Sequence, residues 1–184
     1  MIEEISKRIV SIIVEGNNFS KEQSKEMEYT LKVFSYEIIK LFFLILLFIC
    51  FGYGKEASII MIVMALTKPF IGGYHENNQI KCFIVTVIIV LFIVLLSIFN
   101  RLSLNGILIL SLLNIFCVYH RAPVINEKMP IRKEKIIKRN RNIGMVNIII
   151  LIILSFMMSK IIVASIIIWT ITIQTMLMFN KREN

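Results

Sequence analysis

Long apolar runs separated by short polar breaks dominate this chain. At its start, Ile2, Ile5, Ile9, Ile12 and Ile13 recur at helical spacing, with Glu3, Glu4, Lys7, Arg8, Ser11 and Glu15 between them. That pattern predicts an amphipathic helix lying in a membrane interface, although a helix packed on the protein's own spans would carry it too. Gly16, Asn17 and Asn18 interrupt the pattern, and Ser20 with Gln23 reads as a capping box for a second helix. This second helix can run straight into the first long apolar run.

Six such runs follow, at about 34–53, 57–66, 82–99, 104–119, 143–158 and 161–179. A bilayer core of ~30 Å takes about 20 helical residues to cross, whereas barrel strands are about half as long and alternate in polarity. The expected fold is therefore an all-α membrane protein with six transmembrane helices behind an N-terminal amphipathic interfacial helix. Its parts are an amphipathic segment over 1–32, a six-span domain over 33–180 and a tail at 181–184. Lys68 and Pro69 enter as the second run ends, which predicts a short or bent helix there.

Composition supports the membrane assignment: 57% of residues are apolar and 18% charged, against about 45–50% and 25% in soluble domains. The net charge of +9 comes from Lys and Arg placed between apolar runs, so it marks topology and not nucleic-acid binding. With six crossings, seventeen basic residues fall on the face that holds both termini and only Lys55, Arg101 and Lys160 on the other, while Lys40 lies inside the first run. By the positive-inside rule both termini are cytoplasmic, as are the loops at 67–82 and 120–141. No signal peptide is expected, and the first span itself should direct insertion.

Chemistry concentrates in the 67–82 break. It holds one of two histidines, His75, and one of three cysteines, Cys82, beside Gly72 and Gly73. Cysteine nucleophiles act as thiolates, which helix N-termini and neighbouring cations favour. Cys82 follows Lys81 where the third span should begin. On one continuous helix, seven residues put His75 and Cys82 about 10.5 Å apart along the axis, beyond hydrogen-bond reach. A turn through Glu76, Asn77, Asn78 and Gln79 is needed to join them. The glycine pair suits close approach of a bound peptide or a positive φ that aims His75. Loop N–H groups, Gln79 or Lys68 are the candidate oxyanion donors. A plain surface loop with an incidental Cys and His accounts for the same residues.

Cys117 and His120, three apart at the end of the fourth span, form a rival pair facing one way on a helix. They lack an adjoining glycine pair, and a cysteine in an apolar span is most often a small buried hydrophobe. The three cysteines form neither a disulfide framework nor a zinc motif, so no metal or other cofactor is expected. There is no Asp in the chain, so any third, acidic member of a site has to be glutamate. The basic run from Lys128 to Arg141 is a topology determinant that can also grip anionic lipid.

Gly72-Gly73-Tyr74-His75, six residues and then Cys82, on a basic six-span chain, resembles the accessory gene regulator protein B (AgrB) family of quorum-sensing peptidases. Arg121-Ala122-Pro123 and the following stretch to Ile131 resemble the family's Ala-Pro-rich loop. The resemblance implies a cysteine endopeptidase in the cell membrane of a Gram-positive bacterium, with Cys82 as nucleophile and His75 as base. It implies that an AgrD-type propeptide is cleaved at the cytoplasmic face through a thioester on Cys82. An internal thiol or hydroxyl of the propeptide then closes a thiolactone or lactone. Lys68 stands where the family often has arginine, Glu76 where it often has alanine, and the segment around His120 departs from the usual one. Lysine keeps the charge at 68 but loses a bidentate fork.

The propeptides of this family end in an acidic tail, for which Lys133, Lys135, Lys138 and Arg139 form a plausible docking surface. A small bundle with a shallow site makes a homodimer a reasonable assembly. A peptide exporter without proteolytic activity is the alternative, but the spans beyond Glu37 and Lys40 hold only amides and hydroxyls such as Asn114, Thr170, Thr172 and Gln174. Ion-coupled transporters usually place charges there.

Overall fold

The computed structural model describes residues 2–15, 21–72, 79–124, 134–159 and 162–179. Seven helices cover almost all of them: α1 (Ile2–Glu15), α2 (Lys21–Cys50), α3 (Gly54–Ile71), α4 (Gln79–Phe99), α5 (Leu104–Arg121), α6 (Glu134–Met157) and α7 (Ile162–Leu177). No strand occurs among the described residues, as the lengths of the apolar runs imply. The chain divides into two compact units, Met1–Leu46 and Leu47–Asn184.

In the first unit, α1 leaves Ile9, Ile12 and Ile13 exposed, the apolar stripe its spacing predicts. α2 begins in the polar capping region and runs unbroken into the first apolar run. Its large side chains at Phe34, Ile38, Phe42, Phe43 and Leu46 are exposed, as a lipid-facing helix requires. Lys40 is buried and donates to Glu37 Oε1 at 2.6 Å, so the one basic residue inside this run is paired along its own helix.

The second unit is built around α7. Ala164 to Ile168, Thr170 to Thr172, Gln174 and Thr175 are buried, so this helix is covered on all sides. α3, α4, α5 and α6 all pack against it. Its hydroxyls are satisfied inside apolar surroundings by donating one turn back: Thr170 to Ile166 O at 2.6 Å, Thr172 to Ile168 O and Thr175 to Ile171 O at 2.8 Å. The surrounding helices turn Ile84, Ile88, Phe92, Ile109, Leu112 and Ile150 outward. An apolar exterior around a core that also holds polar groups is what a bilayer selects.

Four of the helices, over 23–50, 79–99, 104–121 and 134–157, are long and apolar enough to cross a membrane. The other two expected spans fall short of that measure for visible reasons. α3 carries Lys55, Glu56 and Lys68 within its 18 residues, and α7 has only 16. Two local expectations change. α3 continues through Pro69 to Ile71, because a proline near a helix end removes one intrahelical donor without preventing the last turn. The 120–141 loop is shorter than expected, since α5 extends to Arg121 and α6 starts at Glu134. Lys135, Lys138, Arg139 and Arg141 therefore lie on a helix, for which Glu, Lys, Arg and Ile over 134–139 have adequate propensity once Pro130 is passed.

Candidate functional site

Of the predicted site residues, His75 and Gly73 lie outside the described residues, as do Lys133 and the turn residues Glu76 to Asn78. Cys82 is half-buried on the first turn of α4, and Gln79 begins that helix with its side chain exposed. A helix start directs backbone N–H groups outward, so N–H groups that α4 itself leaves unused lie on the same turn as the thiol. Thr86 Oγ1 bonds Cys82 O at 2.8 Å within the helix. Lys68 is half-buried on the last turn of α3, and Gly72 caps that helix.

The end of α3 is held with unusual thoroughness. The N–H of Gly72 closes the last turn on Lys68 O at 3.0 Å, and the N–H of Val124 donates to Ile71 O at 2.9 Å. One carbonyl that the helix leaves unsatisfied is thereby capped by a segment more than fifty residues away in sequence. Gly72 and Val124 form an isolated parallel bridge just after the cis Ala122–Pro123 bond. Gly72 adopts φ +75°, and a Cβ there would lie 2.2 Å from Val124 O. Glycine is needed at this position twice over, for its backbone conformation and for its lack of bulk.

Two helices grip the same two turns from the side. Gly144 of α6 lets Ile71 and Phe70 approach so closely that a Cβ would meet Ile71 Cγ2 at 2.9 Å. Asn147, one turn along α6, donates Nδ2 to Leu66 O at 2.6 Å. From α7, Gln174 is hydrogen-bonded to the Thr67 hydroxyl. The Thr67 hydroxyl also lies 2.7 Å from Val63 O but has a single hydrogen to give. That hydrogen goes either to Gln174 Oε1 or to Val63 O, and Gln174 Nε2 has no hydrogen-bond partner among the described residues.

The rival pair is placed differently. Cys117 is half-buried on α5, while His120 is exposed and packs against the rings of Phe116 at 4.5 Å and Tyr119 at 5.2 Å. Arg121 sits over the Phe179 ring at 5.4 Å and Arg141 over Tyr119 at 5.9 Å. Aromatic rings and guanidinium groups of this kind populate a membrane–water boundary. Lys135, Lys138 and Arg139 are exposed on the first turns of α6. No group of His, Cys, Asp or Glu able to hold a metal occurs among the described residues.

Sequence reasoning singled out Gly72 but missed the residues that grip its helix. Asn147 and Gly144 carried a faint signal as an amide and a glycine at the start of an apolar run. Gln174 stood out only as one of several scattered polar residues. The Val124 bond had no side-chain signature, because it is backbone to backbone.

A family model described as Accessory gene regulator B matches residues 6–178. AgrB-like protein 1 of Clostridium perfringens (strain 13 / Type A) is 40% identical over 176 residues, which cover 95% of this chain and 94% of that protein. An AgrB-like protein of Clostridium beijerinckii is 28% identical over 143 residues, covering 75% of this chain and 70% of its own length. No solved structure matches. A match running through α1 to α7 takes in the Gly72-Gly73-Tyr74-His75 motif, Cys82 and the Ala122-Pro123-Val124 segment alike: the chain belongs to the accessory gene regulator B family.

Proposed function

We propose that this protein is a membrane cysteine endopeptidase that trims an AgrD-type propeptide at the cytoplasmic face of a Gram-positive cell membrane, in a six-span fold with both termini cytoplasmic. Cys82 is the nucleophile and His75 the general base. The observation that carries this reading is the family match over residues 6–178, the range in which the Gly-Gly-x-His-x6-Cys motif lies. Its cysteine is half-buried at the start of an apolar helix.

The steps balance without a cofactor. The Cys82 thiolate adds to the carbonyl carbon of the scissile peptide bond, and the resulting oxyanion is met by N–H groups at the start of α4 or by Gln79 or Lys68. Collapse breaks the C–N bond as His75 passes a proton to the departing amine, which leaves with the propeptide's C-terminal piece. The N-terminal piece remains as a thioester on Cys82. An internal thiol or hydroxyl of the propeptide then gives its proton to His75, attacks that thioester, closes a thiolactone or lactone and returns the thiolate to Cys82. Exchange between thioesters is nearly balanced in energy while hydrolysis runs downhill, so the site has to exclude water and hold the internal nucleophile close. A site at the mouth of an apolar helix bundle serves both needs.

Lys135, Lys138 and Arg139, with Lys133, supply the docking surface for the acidic tail of the propeptide. The test is co-expression with an AgrD-type propeptide and mass analysis of its products. Wild type and Cys117→Ala are expected to yield a C-terminally truncated product, and Cys82→Ala and His75→Ala none. Full processing by Cys82→Ala would sink the reading, and loss in Cys117→Ala alone would move the nucleophile to that residue.

A further inference from the structure

The end of α3 is where the helix's own hydrogen bonding runs out. Pro69 has no N–H to offer Ala65 O, and of the last turn's carbonyls Lys68 O is met by Gly72 and Ile71 O by Val124, both beyond the helix. A helix end of this kind in an apolar bundle is free to fray or swing unless something else holds it. Here Asn147 of α6 donates to Leu66 O at 2.6 Å and Gln174 of α7 is bonded to Thr67. These contacts fall on neighbouring residues of α3 and come from two different helices. Gly144 removes the bulk that would keep α6 away from Phe70 and Ile71.

Amides that bond across helices are common glue in a membrane bundle, where a leucine gains little over lipid. What an amide adds is direction: a hydrogen bond fixes the partner to within a few tenths of an ångström, where apolar contact tolerates sliding. Ile71 ends the helix, and His75 follows four residues later. The setting of α3's last two turns therefore determines where the chain toward His75 starts, and a misplacement of about 1 Å at a reacting group costs about a hundredfold in rate.

We propose that Asn147 and Gln174 are positioning residues, which lock the last two turns of α3 against α6 and α7 and so set the point from which the segment bearing His75 departs. The inference rests on the reading of His75 and Cys82 as base and nucleophile. The bundle offers a comparison: the buried Asn114 of α5 donates to the Thr172 hydroxyl of α7 at 2.9 Å, another amide bond between helices, but one that does not hold the helix leading to His75.

The test uses the full chain in proteoliposomes and a synthetic AgrD-type propeptide with a fluorophore and quencher flanking its cleavage point. kcat and KM are measured for Asn147→Leu, Gln174→Leu and Asn114→Leu, which replace the amide with a branched apolar group. Asn147→Leu and Gln174→Leu are expected to lower kcat between about 10- and 100-fold with KM within about twofold, and Asn114→Leu to leave both within about twofold. Asn147→Gln, which keeps a donor, is expected to recover much of the lost kcat. Should Asn147→Leu fail to insert, Asn147→Ala, which also removes the donor, carries the same comparison. Unchanged kcat in the first two variants, or an equal loss in Asn114→Leu, overturns the inference. A parallel Cys82→Ala sample separates the two levels: if it cleaves, the catalytic reading fails and takes the inference with it. If it is inert while Asn147→Leu and Gln174→Leu match wild type, only the positioning role is lost.

Discussion

α3 ends just before His75 and Cys82 in the sequence and α5 ends with Cys117 and His120, and although Val124 bonds the segment after α5 to the end of α3, side chains hold the two ends differently. The α5 end, with Cys117 and His120, presents its histidine outward against two aromatic rings, with arginines resting on neighbouring rings. That is how a helix is anchored at a membrane surface. The α3 end is backbone-bonded to Val124, packed against Gly144 and tied by amides from two helices. Anchoring a span needs affinity for an interface and tolerates motion, whereas setting a base against a nucleophile needs position.

The largest effect that could break this contrast is expected at Gly72. Alanine there must take a positive φ, at about 1–2 kcal/mol, and must displace the Val124 carbonyl as well. Propeptide cleavage by Gly72→Ala is expected to fall at least about a hundredfold while the protein still inserts, as read by kinetics in proteoliposomes. Cleavage close to wild type would mean that the bridge to Val124 does not matter for the site. A smaller effect is expected from charge reversal at Lys135, Lys138 and Arg139, whose side chains are exposed. Exposed pairs are worth about 0.2–1 kcal/mol each, so the triple Glu variant should raise KM by about tenfold at low salt and less at high salt, with kcat nearly unchanged. An unchanged KM with normal insertion would remove the docking role of α6.

Much of this architecture was legible in the order of apolar runs. α2, α4 and α5 follow from run lengths, and the capping region at Ser20 to Gln23 correctly led into a continuous α2. The starts and stops of α3 and α6 were harder to place. Pro69 and Lys68 argued for an early end to α3, yet contacts from α6 and α7 and the bond from Val124 stabilise its last turn. The charges of 134–141 suggested a loop, although Lys, Arg and Glu are good helix formers and only their solvation keeps them out of an apolar face. In the site, Cys82 and Gly72 were legible because thiols and glycine pairs are rare in such a chain. Gly144, Asn147 and Gln174 were not, since their meaning depends on which helices become neighbours.

The central claim is that Cys82, not Cys117, carries the acyl group, and the most direct measurement is the mass of the trapped enzyme. Wild-type protein and propeptide are mixed in proteoliposomes, quenched in acid within one turnover and digested, and each cysteine peptide is weighed with and without hydroxylamine. A propeptide-derived, hydroxylamine-labile adduct on the Cys82 peptide alone is the predicted result. An adduct on the Cys117 peptide, or cleaved propeptide with no adduct at Cys82 at any quench time, contradicts it.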